Sequence, residues 1–361
     1  MQNTLLDKIT IVIFSYNRHK CLKRTIRYWS DLDVKIVVID GSDIKLENQY
    51  LNTKNIKYIY DPRSIHDRLL TSTNYIDTEF MMLSCDDEFF LPSALSDCIS
   101  FLISNTNFSS CGGRAMGFGT IKQKILGFKF YPKLKDILLD DDSPSERIYK
   151  HFSSYTPAHI YSVIRSKNWK KICKHVFLKD YSFFANWELA IEFLVMVCGK
   201  SKIIPKLMWM RNLEEIPIRK INIPKIKNSI QSDSNKVLIQ NWWYQKKFQK
   251  EKEDFLYRMK KASDEILVGQ SFKFTEIEID KFFQFFIKKN KSSKKILLRK
   301  MINIILQKIK KLIKIILFSN EIIQKKTLLE QASLLESQGV SVNYNDLENV
   351  VSALQCSKNE N

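Results

Sequence analysis

Three consecutive carboxylates, Asp86, Asp87 and Glu88, close an apolar run in the stretch FMMLSCDDEFFLP. Charges of one sign held side by side repel, so solvent, a cation or a ligand that needs the field must offset them. Asp86 and Glu88 are alternate residues, so both can reach one hard cation, Mg or Mn, whose shell is completed by phosphate oxygens. Two other polar groups follow apolar runs in the same way: Ser15-Tyr16-Asn17-Arg18, and Asp40 with Asp43. Each has a simpler reading. The trio can serve the N-terminus of a helix starting near Pro92, Asp40-Gly41-Ser42 is ordinary turn chemistry, and Asn17-Arg18 can start a helix.

These residues become a site only if the chain brings them together. Ile9 to Phe14, Val34 to Ile39, Ile56 to Tyr60 and Phe80 to Cys85 are short, β-branched or continuously apolar runs, as strands buried on both faces of a parallel sheet would be. A helical pattern covers His19 to Trp29, and Asp61-Pro62 predicts an N-cap and first turn of a helix reaching about Tyr75. Strands alternating with helices predict an α/β, doubly wound, mostly parallel sheet. Ligands of such sheets bind beyond the carboxyl ends of the strands. All three polar groups belong to that rim. It has neither GxGxxG nor GxxxxGK[ST], which argues against a dinucleotide site or a P-loop.

At these residues the sequence resembles nucleotide-sugar glycosyltransferases of the GT-A type, in particular the inverting group that builds bacterial surface polysaccharides. SYNR after the first strand, VVIDGSD (Val37 to Asp43) and CDDEFFLP, where the group has its DxD motif, carry the likeness over roughly residues 8 to 215. The resemblance implies a GT-A fold, Mn or Mg, a nucleotide-sugar donor and a glycan or glycolipid acceptor at the cell surface. It also implies a nucleotide pocket lined by Ser15, Tyr16, Asn17 and Arg18, with Asp40 on the base or ribose. Asp86, Asp87 and Glu88 would serve the metal and the donor ribose, and Arg68 and Arg63 the diphosphate. Where the group carries an acidic pair ahead of an aromatic-acid-leucine sequence, this chain has Ala185-Asn186 before Trp187-Glu188-Leu189. An inverting transfer needs a carboxylate to take the acceptor's proton. Glu188 is the first choice for that base and Asp180 the second. Arg211, ending KIIPKLMWMR, would add a positive group near the leaving diphosphate.

Composition sets the wider frame. The 361 residues are 44% hydrophobic and carry a net charge of +19, a globular chain with an anionic partner. Seven scattered cysteines without CxxC spacing predict reduced thiols, a cytoplasmic setting and no zinc motif. His66 and His159 lack companions at metal-binding spacing and read as structural. CGGRAMGFG (Cys111 to Gly119) reads as the turning end of a strand. The expected organisation is a catalytic domain over 1–220, a linker and helical segment over 221–280, and a basic helical region over 281–361. Residues 281–326 hold 13 Lys and one Arg against Glu321 alone. A wheel over 294–318 sets Leu297, Leu298, Met301, Ile305, Ile309, Leu312 and Ile316 opposite Lys295, Arg299, Lys300, Lys310, Lys311 and Lys314. Such a helix either lies on an anionic membrane surface, at the inner face of the plasma membrane, or packs on the catalytic domain. No nucleic-acid partner is expected. Two rival readings are a nucleotidyltransferase, disfavoured because FSYNRHK has no glycine, and a catalytically idle polyanion- or membrane-binding protein.

Overall fold

The computed structural model describes residues 5–47, 51, 53–121, 124–177, 181, 184–213, 251–288 and 326–356. Asp180, the 214–235 linker and the 294–318 amphipathic helix lie outside them.

Four parallel strands, β1 (Ile9–Ser15), β2 (Lys35–Asp40), β3 (Ile56–Tyr60) and β4 (Phe80–Cys85), stand in the order β3-β2-β1-β4. Their apolar runs are unbroken because both faces are covered. Ile9, Ile11, Ile13, Phe80 and Met82 enter one core, and Val12, Met81 and Leu83 enter the other. The sheet continues through β9 (Val163–Arg165), antiparallel to β4, then β6 (Phe108–Ile121), β10 (Lys200–Asn212) and β5 (Phe89–Phe90). Two further strands complete it: β7 (Lys124–Lys129) pairs with β6, and β8 (Leu138–Leu139) with β10. The molecule is therefore an α/β protein built on a ten-stranded, mixed sheet flanked by helices, with a helical C-terminal region.

The first core takes α1 (His19–Ser30) through Leu22, Ile26 and Trp29, and α3 (Pro92–Ser104) through Leu95 and Ile99. The second takes α2 (Ile65–Ser72), α4 (Pro144–Ser153), α5 (Ser166–Val176) and α6 (Phe184–Cys198). Two expected boundaries shift. Asp61-Pro62 does not start α2; Ser64 is its N-cap and accepts from the Asp67 amide at 3.2 Å, while Asp61 binds Arg63. A hydroxyl at the cap satisfies a first-turn N–H that Asp61, three residues further back, does not reach. The glycine-rich stretch 111–119 is no strand end but the middle of β6. Its glycines admit close neighbours: a Cβ on Gly113 would stand 2.6 Å from the Lys206 carbonyl oxygen of β10.

The later chain returns to these cores. Helix α7 (251–266) and α8 (Glu276–Lys288) insert Phe255, Met259, Phe282 and Phe283 beside Phe193. Helices α9 (Leu328–Glu336) and α10 (Tyr344–Cys356), parted at Gly339 with φ +82°, bury Leu328, Leu335, Leu347 and Val350 against the other face. Among the described residues no helix is long and apolar enough to cross a membrane. None of the seven cysteines is joined in a disulfide among the described residues.

Candidate active site

Register builds the rim. Ser15 stands beside Asp40, Asp40 beside Tyr60, and Phe14 beside Cys85, so the tips of β1 to β4 end together. Beyond β1 the chain turns through Asn17 at φ +53°, a left-handed conformation that Asn tolerates better than most residues. The Asn17 side chain donates to Asp43 at 2.8 Å and accepts from the Asp43 amide at 2.9 Å, joining the first two loops. The turn delivers Arg18 to the carboxylate trio. Its guanidinium lies 2.9 Å from Asp86 Oδ1 and 2.5 Å from Asp87 Oδ2, and Ser15 Oγ donates to Asp86 Oδ2 at 2.8 Å. From α1, Thr25 Oγ1 donates to the Asp86 carbonyl at 2.6 Å and Tyr28 to that of Phe90 at 2.9 Å.

Glu88 is placed by the short strand after it. β5 pairs antiparallel with β10, Phe90 beside Trp209 and Phe89 beside Met210, which carries the end of β10 onto Glu88. Trp209 Nε1 donates to Glu88 Oε2 at 2.8 Å, and Arg211 pairs with Oε1. Burial still pushes Glu88 up to about 7, because loss of solvent outweighs the Arg211 charge. The trio does not serve the N-terminus of α3. That role falls to Asp346 of α10, which accepts from the Ser93 amide at 2.9 Å.

A hard divalent cation asks for oxygen donors. Both Asp86 oxygens and both Glu88 oxygens are held by protein groups, and Asp87 Oδ2 also faces Asn212 at 3.3 Å. Asp87 Oδ1 has no partner among the described residues. Cys85 joins Asp87 and Glu88 in one cluster of donor atoms, but burial pushes its thiol up and a soft donor suits neither Mg nor Mn. One ready carboxylate oxygen fits an ion that draws its other ligands from phosphate and water, the common arrangement for Mg.

Glu188, on the first turns of α6, reaches the same region. It retains some exposure, has no hydrogen-bond partner among the described residues, and lies within the field of Arg211. Burial, and then the negative charge of Glu192 one turn along, push it up to about 7. Asn186 is fully buried and donates to Glu251 of α7 at 2.5 Å. The bond ties the start of α6 to the start of α7.

Asp40 is wholly buried, with Oδ1 held by the Ser42 amide and hydroxyl and Oδ2 by Tyr58 at 2.7 Å and His19 at 3.2 Å. It shapes the second loop from within. Arg68 is also buried; it donates to the Ser15 carbonyl at 2.7 Å and packs its guanidinium on Gly41. Tyr16, 55% exposed, lies over that guanidinium. Arg63 is held by Asp61.

Three aromatic residues were not foreseen. Tyr161 stacks on Trp209 with ring centroids 4.5 Å apart, Tyr131 lies 5.5 Å from Trp209, and Arg211 sits above Trp209 and Tyr161. Trp209 was legible: in a strand residues i and i+2 share a face, so Trp209 goes wherever Arg211 goes. Tyr131 and Tyr161 come from loops without a local signal.

No family model matches the sequence, and no curated protein does. Among solved structures, S. aureus TarS residues 1–349 aligns at a TM-score of 0.47 with 10% identity, over 78% of this chain and 70% of that one. A longer S. aureus TarS chain aligns at 0.47 with 12% identity, over 80% of this chain but 44% of its own length. TarS 1–349 in complex with UDP-GlcNAc aligns at 0.46 with 11% identity, over 78% and 71%. The likeness is faint, and the chemistry of the site is read from its own residues.

Proposed function

We propose that the protein is a GT-A-type glycosyltransferase that moves a sugar from a nucleotide-sugar donor to a hydroxyl of a surface glycan or glycolipid, with inversion. The observation that carries this reading is Glu188: a carboxylate without a hydrogen-bond partner among the described residues, poised near neutrality, facing a strand-tip rim of acids and arginines. General-base catalysis works best with a group whose pKa lies near the working pH. The rim and that base are the two halves of a displacement at an anomeric carbon.

In this reading the exposed Tyr16, Asn17 and Asp43 receive the nucleoside, and Asp40 and Arg68 hold their loops in place from beneath. Arg18 and Arg211 face the negative charge that builds on the departing nucleoside diphosphate. Tyr161, backed by the buried Trp209, offers a flat apolar wall to the sugar ring. Glu188 accepts the acceptor's proton as its oxygen attacks the anomeric carbon opposite the leaving phosphate. Mn or Mg, held through Asp87 with Glu88 nearby, would supply Lewis-acid neutralisation of the diphosphate.

Thermal shift of the intact chain with UDP, GDP or CMP, each with and without Mn, tests the donor side. One nucleotide should stabilise the wild type more with Mn than without, by a margin that Asp87→Asn abolishes. A chain indifferent to all three would instead favour the idle, polyanion-binding alternative.

A further inference from the structure

Three side chains that take no direct part in the proposed transfer meet where α4, α6 and the turn before β9 close together; of these, Glu192 acts on Glu188 only through its charge. His151, His159 and Glu192 are all buried, and one ligand atom of each lies within 4.8 Å of the others. Spacing along the chain hides the cluster; the fold assembles it, which corrects the expectation that His159 has no such companions.

Each group is oriented from behind. Glu192 Oε1 accepts from the backbone N–H groups of Ala158 at 3.1 Å, His159 at 3.0 Å and Ile160 at 3.0 Å. That leaves Oε2 turned to His151 Nε2 at 2.9 Å. His159 Nδ1 lies 2.8 Å from Ser201 Oγ, which in turn lies 2.6 Å from Ser110 Oγ. Nε2 of His159, fully buried, meets no hydrogen-bonding group among the described residues. The two imidazole centroids stand 4.7 Å apart at 63°, spacing that suits both Nε2 atoms on one ion.

A proton shared between His151 and Glu192 would satisfy that pair yet leave His159 Nε2 bare, and an unsatisfied buried polar group is destabilising. A cation at the centre satisfies all three. With Nδ1–H donating to Ser201, Nε2 presents its lone pair, and backbone N–H groups aim the carboxylate; metal sites orient their ligands through such outer contacts. We infer that His151 Nε2, His159 Nε2 and Glu192 Oε2 bind a zinc ion, with water as the fourth ligand. Tetrahedral zinc with bonds of about 2.0–2.2 Å sets its ligands about 3.4 Å apart, so His151 Nε2 and Glu192 Oε2, 2.9 Å apart, open by roughly 0.5 Å to receive it. Two imidazoles and a carboxylate also suit ferrous iron, but iron sites of that kind keep open positions, and this cluster is enclosed. Zinc here would tie α6 to α4 and to the turn before β9, whether or not the proposed transfer reaction is right.

The test is metal analysis of the untagged, full-length chain, produced with zinc in the medium and purified by gel filtration. About one zinc per chain is expected, falling at least tenfold in Glu192→Gln and in His159→Ala. Should those variants fail to fold, the wild type decides alone: Co(II) introduced in place of zinc should give the visible absorption of a four-coordinate site, and added zinc should abolish it. Zinc-free or iron-bearing wild-type protein, no such Co(II) spectrum, or a folded His159→Ala chain that keeps its zinc would overturn the inference.

Discussion

At Glu188 a carboxylate is held against its preference for charge. Its ordinary value of 4.5 rises to about 7, so the native state keeps a proton that the unfolded chain has already released between those limits. Stability therefore falls as pH rises through that window, and the whole penalty is present above 7. Glu188→Gln removes the penalty. At pH 8 it should raise the melting temperature by roughly 1–3 °C, from about 1–2 kcal/mol after discounting for the group's partial exposure. Glu88 is also pushed up to about 7 by burial, but unlike Glu188 it is held by Arg211 and Trp209. Arg211→Met strands a buried carboxylate and should cost roughly 3 kcal/mol in urea unfolding; adding Glu88→Gln should recover most of it, because the amide oxygen still accepts from Trp209.

Among the elements, the first half of the sheet was legible because two-sided burial leaves a plain mark, unbroken β-branched runs closed by polar tips. The same logic located the rim, and Asp86 to Glu88 stand there with Ser15 and Arg18. The misreadings have physical causes. Asp61-Pro62 has the chemistry of a helix start, but the Ser64 hydroxyl is better placed for the first-turn N–H groups. Glycines in CGGRAMGFG read as flexibility, whereas packing demands them in β6. Gly113→Ala should cost about 1–3 kcal/mol in the same assay, since its methyl would press on the Lys206 carbonyl, backbone that cannot rotate away. Tyr131 and Tyr161 reach the site by tertiary contact alone. No period or spacing in the sequence announces such convergence, and the His151, His159 and Glu192 cluster escaped notice for the same reason.

Across the whole molecule, the chain folds back on itself more than its composition implies. The described end of the C-terminal region packs on the catalytic core, α9 against β7 and α10 against α1, and Asp346 caps α3, the helix that follows the carboxylate trio. The C-terminal segment thus supports the rim from a distance. Leu347→Ala, at a fully buried position of α10, should destabilise the protein by about 2–5 kcal/mol, and chemical denaturation will show whether the N-terminal sheet unfolds in the same transition.

The central claim is that Glu188 draws the acceptor's proton at a rim that binds a nucleotide-sugar. Its most direct test is the pH dependence of nucleoside diphosphate release, in wild type and Glu188→Gln, with a donor panel that includes UDP-GlcNAc. A base must be ionised to act, so wild-type kcat/KM should rise through about pH 7, and the variant should be slower by about 10²–10⁴-fold with that limb gone. A Glu188→Gln enzyme with the wild-type rate and the same pH profile would contradict the account.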